Sequence, residues 1–275
     1  MSSPRPIQSA EPIDPSKWQV PAYRLENVAP REHEYCVVIP VINEGRRIAD
    51  LLGRMKEIST ASLADIIIVD GGSTDGSLDL EMLKSCGVRT LITKTGPGRL
   101  SAQLRCGYAY ALEEGYAGIV TIDGNNKDDP KPIGAFIEAL RSGVDFVQAS
   151  RFIPGGVAEN TPISRWIAIR LIHAPLSSLA SGKWWTDTTQ GYRGYSRRLL
   201  LDERVQPFRD VFETYELLAY MSVRAPRLGF KCQELPTARR YPPDEVPTKI
   251  SAVRGNAKVL KILLAACMGK YNPRK

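Results

Sequence analysis

The residues best suited to do chemistry stand where short apolar runs end. GIVTID closes on Asp123, and Gly124 and Asn125 follow. A carboxylate at the tip of an apolar run is costly unless it is paired or bound to a cation. Oxygen-bearing side chains at i and i+2 can face one divalent ion, which can bridge the oxygens of a diphosphate. Asp128 and Asp129 add charge close by. An Asx-type turn ahead of Pro130 is the competing account of this stretch. DIIIVD closes on Asp70 and runs into Gly71, Gly72, Ser73, Thr74, Asp75 and Gly76. Glycines there let backbone approach a ligand. Asp70 can bind polar groups of a base or ribose, and Asp75 can cap the next helix. YCVVIP closes on Pro40 and leads to Asn43 and Glu44. Glu44 can accept hydrogens of a base while Pro40 offers the ring an apolar edge. A strand stop with Asn43 as helix cap explains the same residues.

Metal chemistry is bounded by what is scarce. There are two histidines, His33 and His173, and five scattered cysteines with no C-x-x-C pair. A zinc site or a disulfide framework is therefore not expected. Any metal is held by oxygen, which favours Mg²⁺ or Mn²⁺. The cysteines read as reduced thiols of a cytoplasmic protein.

These residues need elements to position them. Tyr35–Pro40, Asp65–Asp70, Val88–Thr93, Gly118–Asp123 and Asp145–Ser150 read as strands. Glu44–Ile58, Asp79–Cys86, Leu100–Glu114 and Ile133–Ser142 read as the helices between them. Alternation of this kind predicts an α/β fold: a Rossmann-like, mostly parallel sheet flanked by helices. Ligands of such sheets bind beyond the carboxyl ends of the strands, where the polar residues above collect. After residue 150 the spacing predicts a helix over Ile163–Ala180, a strand over Gly191–Ser196, a helix over Phe212–Val223 and a strand over Phe230–Leu235. A Pro-rich loop, Arg239–Thr248, and a basic amphipathic helix, Ile250–Met268, follow. Residues 1–33, rich in Pro and charge, read as a disordered or surface-draped arm. Residues 34–275 read as one domain, with 34–150 as its ligand-binding half and 151–275 as a C-terminal extension.

The formal net charge of +7 suits an anionic partner or a merely basic surface. No apolar run approaches the roughly 20 residues that span a bilayer. The N-terminal residues lack the apolar core of a secretory signal. Lys249, Arg254, Lys258, Lys261 and Lys270 beside Val, Ile and Leu suit either contact with a membrane surface or a solvated basic face. No aromatic–basic platform for nucleic acid is evident.

Pro-x-x-Asn-Glu, then Asp-Gly-Gly-Ser-Thr-Asp-Gly, then a strand-end Asp-x-Asn, in this order, resembles the inverting family 2 glycosyltransferases of GT-A fold. Within them the chain is similar to the dolichol- and polyprenyl-phosphate sugar synthases, over about residues 35–250. The resemblance implies a nucleotide-sugar donor, UDP- or GDP-linked, with Pro40, Glu44, Asp70 and Gly72 at the nucleotide. Asp123 and Asn125 correspond to the metal-binding Asp-x-Asp pair. Gly98-Arg99 resembles a Gly-Lys-Gly segment, with Arg99 and Leu100 in place of Lys and Gly. Ser150-Arg151, Gly155-Gly156 and Arg165 resemble an Arg…Gly-Gly…Arg segment. Asp187-Thr-Thr-Gln-Gly191-Tyr192-Arg193 resembles Asp-x-Thr-Ser-Gly-Phe-Arg. Arg240 and Lys249 correspond to basic residues that meet phosphates on loop closure. Asn125 departs from the usual second Asp, and Lys127 stands where those synthases often carry Gln. The implied catalytic set is Asp123, Arg151 and Arg165.

A lipid-phosphate acceptor is already ionised and needs no base. A small hydroxyl acceptor needs one, and Glu213 or Glu216 is available. Trp166, Trp184 and Trp185 suit an acceptor wall or core packing. GPGRLS follows the third strand and lacks the final Gly of a dinucleotide fingerprint, and no phosphate-loop motif occurs. A catalytically silent sugar-nucleotide-binding module is the alternative from another class.

Overall fold

A computed structural model describes residues 14–242 and 254–274. Lys249 and the expected start of the last helix at Ile250 lie outside the described residues. The strands described are β1 (Tyr23–Val28), β2 (Tyr35–Val41), β3 (Asp65–Asp70), β4 (Val88–Lys94), β5 (Gly118–Thr121), β6 (Phe146–Ser150), β7 (Val157–Glu159), β8 (Arg193–Ser196), β9 (Cys232–Pro236) and β10 (Ala238–Arg240). The α-helices described are α1 (Arg46–Glu57), α2 (Leu80–Ser85), α3 (Leu100–Glu113), α4 (Ile133–Arg141), α5 (Ile163–Ile167), α6 (Ala174–Ser181), α7 (Arg197–Leu201), α8 (Glu216–Arg227) and α9 (Arg254–Cys267).

Eight strands form one sheet in the order β1-β4-β3-β2-β5-β8-β6-β9, and β7 pairs with β10. The central strands β4, β3, β2 and β5 are parallel. β8 runs antiparallel between β5 and β6, and β9 lies parallel to β6. Every residue of β2 and β3 is buried because both faces of the sheet are covered. Side-chain alternation sorts them. Cys36, Val38, Ile67 and Val69 join a core with Leu104, Tyr108 and Leu112 of α3 and Leu217 and Tyr220 of α8. Val37, Ile39, Ile66 and Ile68 join the opposite core with Ile48, Leu52, Phe136 and Ile137 of α1 and α4.

Two expectations about helices change, and one strand is added. Within the stretch read as a disordered or surface-draped arm, Tyr23–Val28 forms β1, which pairs antiparallel with β4 along the sheet edge. Trp18 pins it by stacking on Phe208, ring centroids 4.2 Å apart. The Ile163–Ala180 helix is three consecutive helical pieces: α5, a π turn over Ala168–His173, and α6. Pro175 has no N–H to give back to the preceding turn, and a wider π turn absorbs that mismatch. The helix expected from Phe212 begins at Glu216 instead. The strap before it accepts hydrogen bonds at Glu213 O and Thr214 O from the Arg99 and Ser101 N–H groups at the start of α3.

Candidate active site

The loops after β2 and β3 are locked to each other. Asn43 N donates to Ser73 Oγ (3.0 Å), Thr74 N donates to Asn43 Oδ1 (2.8 Å), and Gly45 N donates to Asp75 Oδ2 (2.8 Å). Asn43 adopts φ 47°, a left-handed conformation that Asn tolerates better than most residues. It therefore clasps the neighbouring loop and does not cap α1. Asp75 is likewise spent on Gly45, and Asp79 is the residue that caps α2, through Met82 N at 2.9 Å. Behind both loops, Gln103 of α3 donates its amide to Val41 O (2.9 Å) and Val69 O (3.0 Å). Gly71 leaves room for it, since a Cβ there would stand 2.8 Å from Gln103 Nε2.

Asp70 accepts from Ser73 N (2.9 Å) and Ser73 Oγ (2.6 Å), which shapes the glycine loop. It also lines a cavity of about 180 Å³ with Ser73, Ser77, Leu91, Thr93 and Glu26. Glu26 comes from β1, so the edge strand contributes a wall that the sequence reading did not include. Pro40 and Glu44 are largely buried beside these loops, and Glu44 pairs with Arg47 at 3.1 Å. Gly72 sits at φ 95° on the exposed side of the loop.

Asp123 stands just past β5, its carboxylate about one-fifth exposed. The backbone of Gly191 backs onto it. The segment carrying that glycine is held from inside by Arg193, fully buried, which donates to Thr188 O (2.8 Å), Gln190 O (2.9 Å) and Leu218 O (2.6 Å). Arg239 lies 3.4 Å from Asp123 Oδ2 and 2.5 Å from Asp128 Oδ2.

Positive charge then gathers on Tyr241. Lys127 Nζ lies 5.2 Å from its ring centroid, and the guanidinium carbons of Arg165 and Arg239 lie at 5.4 and 5.7 Å. Arg165 donates to its hydroxyl at 3.0 Å. Burial raises the Tyr241 pKa, but Arg239, Arg165 and Arg151 outweigh it and bring the phenol down to about 8. Burial and the neighbouring Arg239 lower the Lys127 ammonium to about 8. This is a buried cluster of cations beside Asp123, and it favours the anionic form of the phenol.

The basic residues picked from the sequence separate here. Arg165 joins the Tyr241 cluster. Arg99 is exposed at the start of α3; it and Asp123 both act on the phenol of Tyr215, whose pKa is raised chiefly by burial. Arg151 pairs with Asp187 (2.7 and 3.1 Å) and Thr189 (2.9 Å), with both charged side chains buried, while its Nη1 has no hydrogen-bond partner among the described residues. Its guanidinium braces the Asp187–Gly191 segment. Arg240 turns outward to Glu159 at 2.8 Å and lines a separate cavity of about 260 Å³ with Arg54 and Lys131. Its neighbour Arg239 is the one that faces Asp123. Strand alternation produces this, because β10 pairs with β7 and sends adjacent side chains to opposite faces.

The oxygens present suit a hard divalent cation. Asp123 offers a carboxylate, Asn125 Oδ1 lies 3.2 Å from Lys127 N, and buried Asp128 Oδ1 has no hydrogen-bond partner among the described residues. A cation here would draw its other ligands from a donor diphosphate and water. Among the described residues no three acidic, His or Cys side chains form a complete cage.

The mixed α/β sheet flanked by helices has the GT-A architecture of glycosyltransferases. The model of glycosyl transferase family 2 matches residues 36–202, and the chain belongs to that family. It is 28% identical to the polyprenol monophosphomannose synthase of Mycolicibacterium smegmatis, over 73% of this chain and 75% of that one. It is 30% identical to the undecaprenyl-phosphate mannosyltransferase of Micrococcus luteus, over 72% of this chain and 80% of that one. Among solved structures, mannosyl-3-phosphoglycerate synthase from Rubrobacter xylanophilus superposes with a TM-score of 0.60 at 14% identity, over 86% of this chain and 73% of that one. Glucosyl-3-phosphoglycerate synthase from Mycobacterium tuberculosis, in complex with Mn²⁺, UDP and glucosyl-3-phosphoglycerate, gives a TM-score of 0.55 at 19% identity, over 85% of this chain and 80% of that one.

Proposed function

We propose that the protein transfers a sugar from a nucleotide-diphosphate sugar, UDP- or GDP-linked, to polyprenyl phosphate at a membrane surface, with inversion and dependence on Mg²⁺ or Mn²⁺. The observation that carries this reading is the cluster of cationic side chains on Tyr241 beside Asp123. Lys127, Arg165 and Arg239 offer positive charge to phosphate oxygens where the donor's diphosphate and a phosphorylated acceptor would meet. The polyprenyl-phosphate enzymes among its relatives support the acceptor, and the Mn²⁺ and UDP bound by the glucosyl-3-phosphoglycerate synthase support the donor and metal.

The donor nucleoside is assigned to the crevice of Pro40, Glu44, Asp70 and Gly72, with Arg99 toward its phosphates. Asp123 and Asn125 would hold the divalent ion, which when bound supplies Lewis-acid neutralisation of the leaving diphosphate. Arg165 and Arg239 orient phosphate oxygens, and Arg151 keeps Gly191 against Asp123. An ionised phosphate acceptor needs no base. Glu216, a candidate base for a hydroxyl acceptor, is engaged by Glu213 N (3.0 Å), Thr214 N (2.5 Å) and Thr214 Oγ1 (2.6 Å).

The test is transfer from radiolabelled UDP- and GDP-sugars to polyprenyl phosphate in Mn²⁺, alongside thermal shifts with each nucleoside diphosphate. Asp123→Ala is expected to abolish transfer and the metal-dependent shift. An unchanged shift refutes the metal assignment. Nucleotide binding without turnover on either acceptor class points to a silent module.

A further inference from the structure

The loop that follows β5 is held from two sides. On one side β10 takes its backbone: Asp129 N donates to Ala238 O (2.9 Å), and Arg240 N donates to Lys127 O (2.8 Å). On the other side a single residue of α1 reaches across. Arg54 donates through Nη1 to Asn126 Oδ1 (3.0 Å) and Asp128 O (3.3 Å), and through Nη2 to Asp129 Oδ1 (3.1 Å). α1 is a firm base for that reach, because Leu51, Leu52 and Met55 around Arg54 are fully buried. Three acceptors on one side chain need the flat, many-donor fork of a guanidinium.

The acceptors lie next to the residue assigned to the metal. Asn126 follows Asn125 and adopts φ 56°, a sparsely populated conformation that persists only where surrounding contacts impose it. Within the same turn Lys127 N donates to Asn125 Oδ1 (3.2 Å), so the turn also sets the Asn125 amide. Affinity for a hard cation depends on the charge of its ligands and on the rigidity of the site. Asn125 brings oxygen without charge, so rigidity counts for more here than it would beside a second carboxylate.

We infer that Arg54 is a positioning residue for the divalent ion: by gripping Asn126, the Asp128 carbonyl and Asp129 together, it holds Asn125 where it can share a cation with Asp123. No motif in the sequence singles Arg54 out, since it meets the loop from 72 positions away. The inference rests on the assignment of Asp123 and Asn125 to the metal.

The experiment is Mn²⁺ titration of the full chain beside UDP or GDP, read from the free-ion EPR signal, for wild type, Arg54→Met, Arg54→Lys and Asn126→Gly. Removing a group that orients a metal's ligands typically costs ~10–100-fold in affinity. Arg54→Met is expected to bind Mn²⁺ about tenfold more weakly or worse. Arg54→Lys keeps the charge without the fork and is expected to recover little of that loss. Asn126→Gly keeps the left-handed turn, removes one acceptor and is expected to lose about threefold. In transfer assays Arg54→Met should need more Mn²⁺, while kcat at saturating Mn²⁺ stays within about threefold of wild type. Lys131→Met, on the wall of the same cavity as Arg54, should bind Mn²⁺ as the wild type does.

Wild-type affinity in a folded Arg54→Met overturns the inference and leaves the metal assignment standing. Full recovery by Arg54→Lys, or an equal loss in Lys131→Met, also overturns it, because charge alone would then suffice. Should Arg54→Met not fold, unchanged affinity in Asn126→Gly overturns it. Wild type that binds no Mn²⁺ beside either nucleotide removes the metal assignment itself, and this inference with it.

Discussion

Gly191 has no side chain because Asp123 occupies the space one would need: a Cβ at Gly191 would lie 2.2 Å from Asp123 Oδ1. The two residues are 68 positions apart and meet because β8, which follows Gly191, pairs with β5, which precedes Asp123. In Gly191→Ala the carboxylate must move. A displacement of about 1 Å at a reacting centre costs on the order of 10²-fold in rate, and overpacking costs about 1–3 kcal/mol. Steady-state kcat/KM and a urea melt on the same sample check both; full activity removes Asp123 from the site.

Arg239 and Asp128 form a buried ion pair, side chains 9% and 0% exposed. Removing one partner strands the other. Arg239→Met is expected to destabilise the fold by about 3–5 kcal/mol. Asp128→Leu in the same chain is expected to recover most of that loss, while transfer activity stays lost because Arg239 also faces Asp123. A double-mutant cycle in urea measures the coupling. Simple additivity would show that the pair does not interact.

Gln103 ties β2 to β3 where their loops begin. Gln103→Leu leaves two buried carbonyls without that donor, at a cost of about 1–3 kcal/mol. The loops bearing Asn43 and Ser73 should loosen with it, raising KM for the donor more than kcat falls. An unchanged KM would separate strand stability from donor binding.

Tyr241 provides a pH signature. Its folded pKa of about 8 lies below the ordinary 10.0, because three arginines outweigh burial. Between those values the unfolded chain holds a proton that the folded chain has lost, so folding stability rises with pH. This contribution is complete above pH 10 and vanishes as pH falls through about 8. Tyrosinate absorbance should show a transition near pH 8 in the folded protein that Tyr241→Phe removes. A curve identical in the variant would place the ionising phenol elsewhere.

Much of this site was legible in the chain. Continuous apolar runs such as DIIIVD specify strands covered on both faces, and the residue after such a run reaches the rim whatever the rest of the fold does. Asp70 and Asp123 could therefore be picked without coordinates. The short run YRLENV, with charge at alternate positions, carries no such signal. It becomes a strand because β4 offers an unpaired edge, and only then does Glu26 reach the cavity at Asp70.

What the sequence determined by itself is the α/β alternation, the set of oxygen-bearing residues at the strand ends and the surplus of basic groups. The tertiary structure decided what each basic group does. Arg151 is consumed by Asp187, 36 positions away, and Arg239 rather than Arg240 turns to Asp123 because pairing with β7 sets the parity of β10. Periodicity is local and survives in a linear reading. Charge pairing and burial depend on contacts between distant segments, and those exist only once the chain has closed on itself.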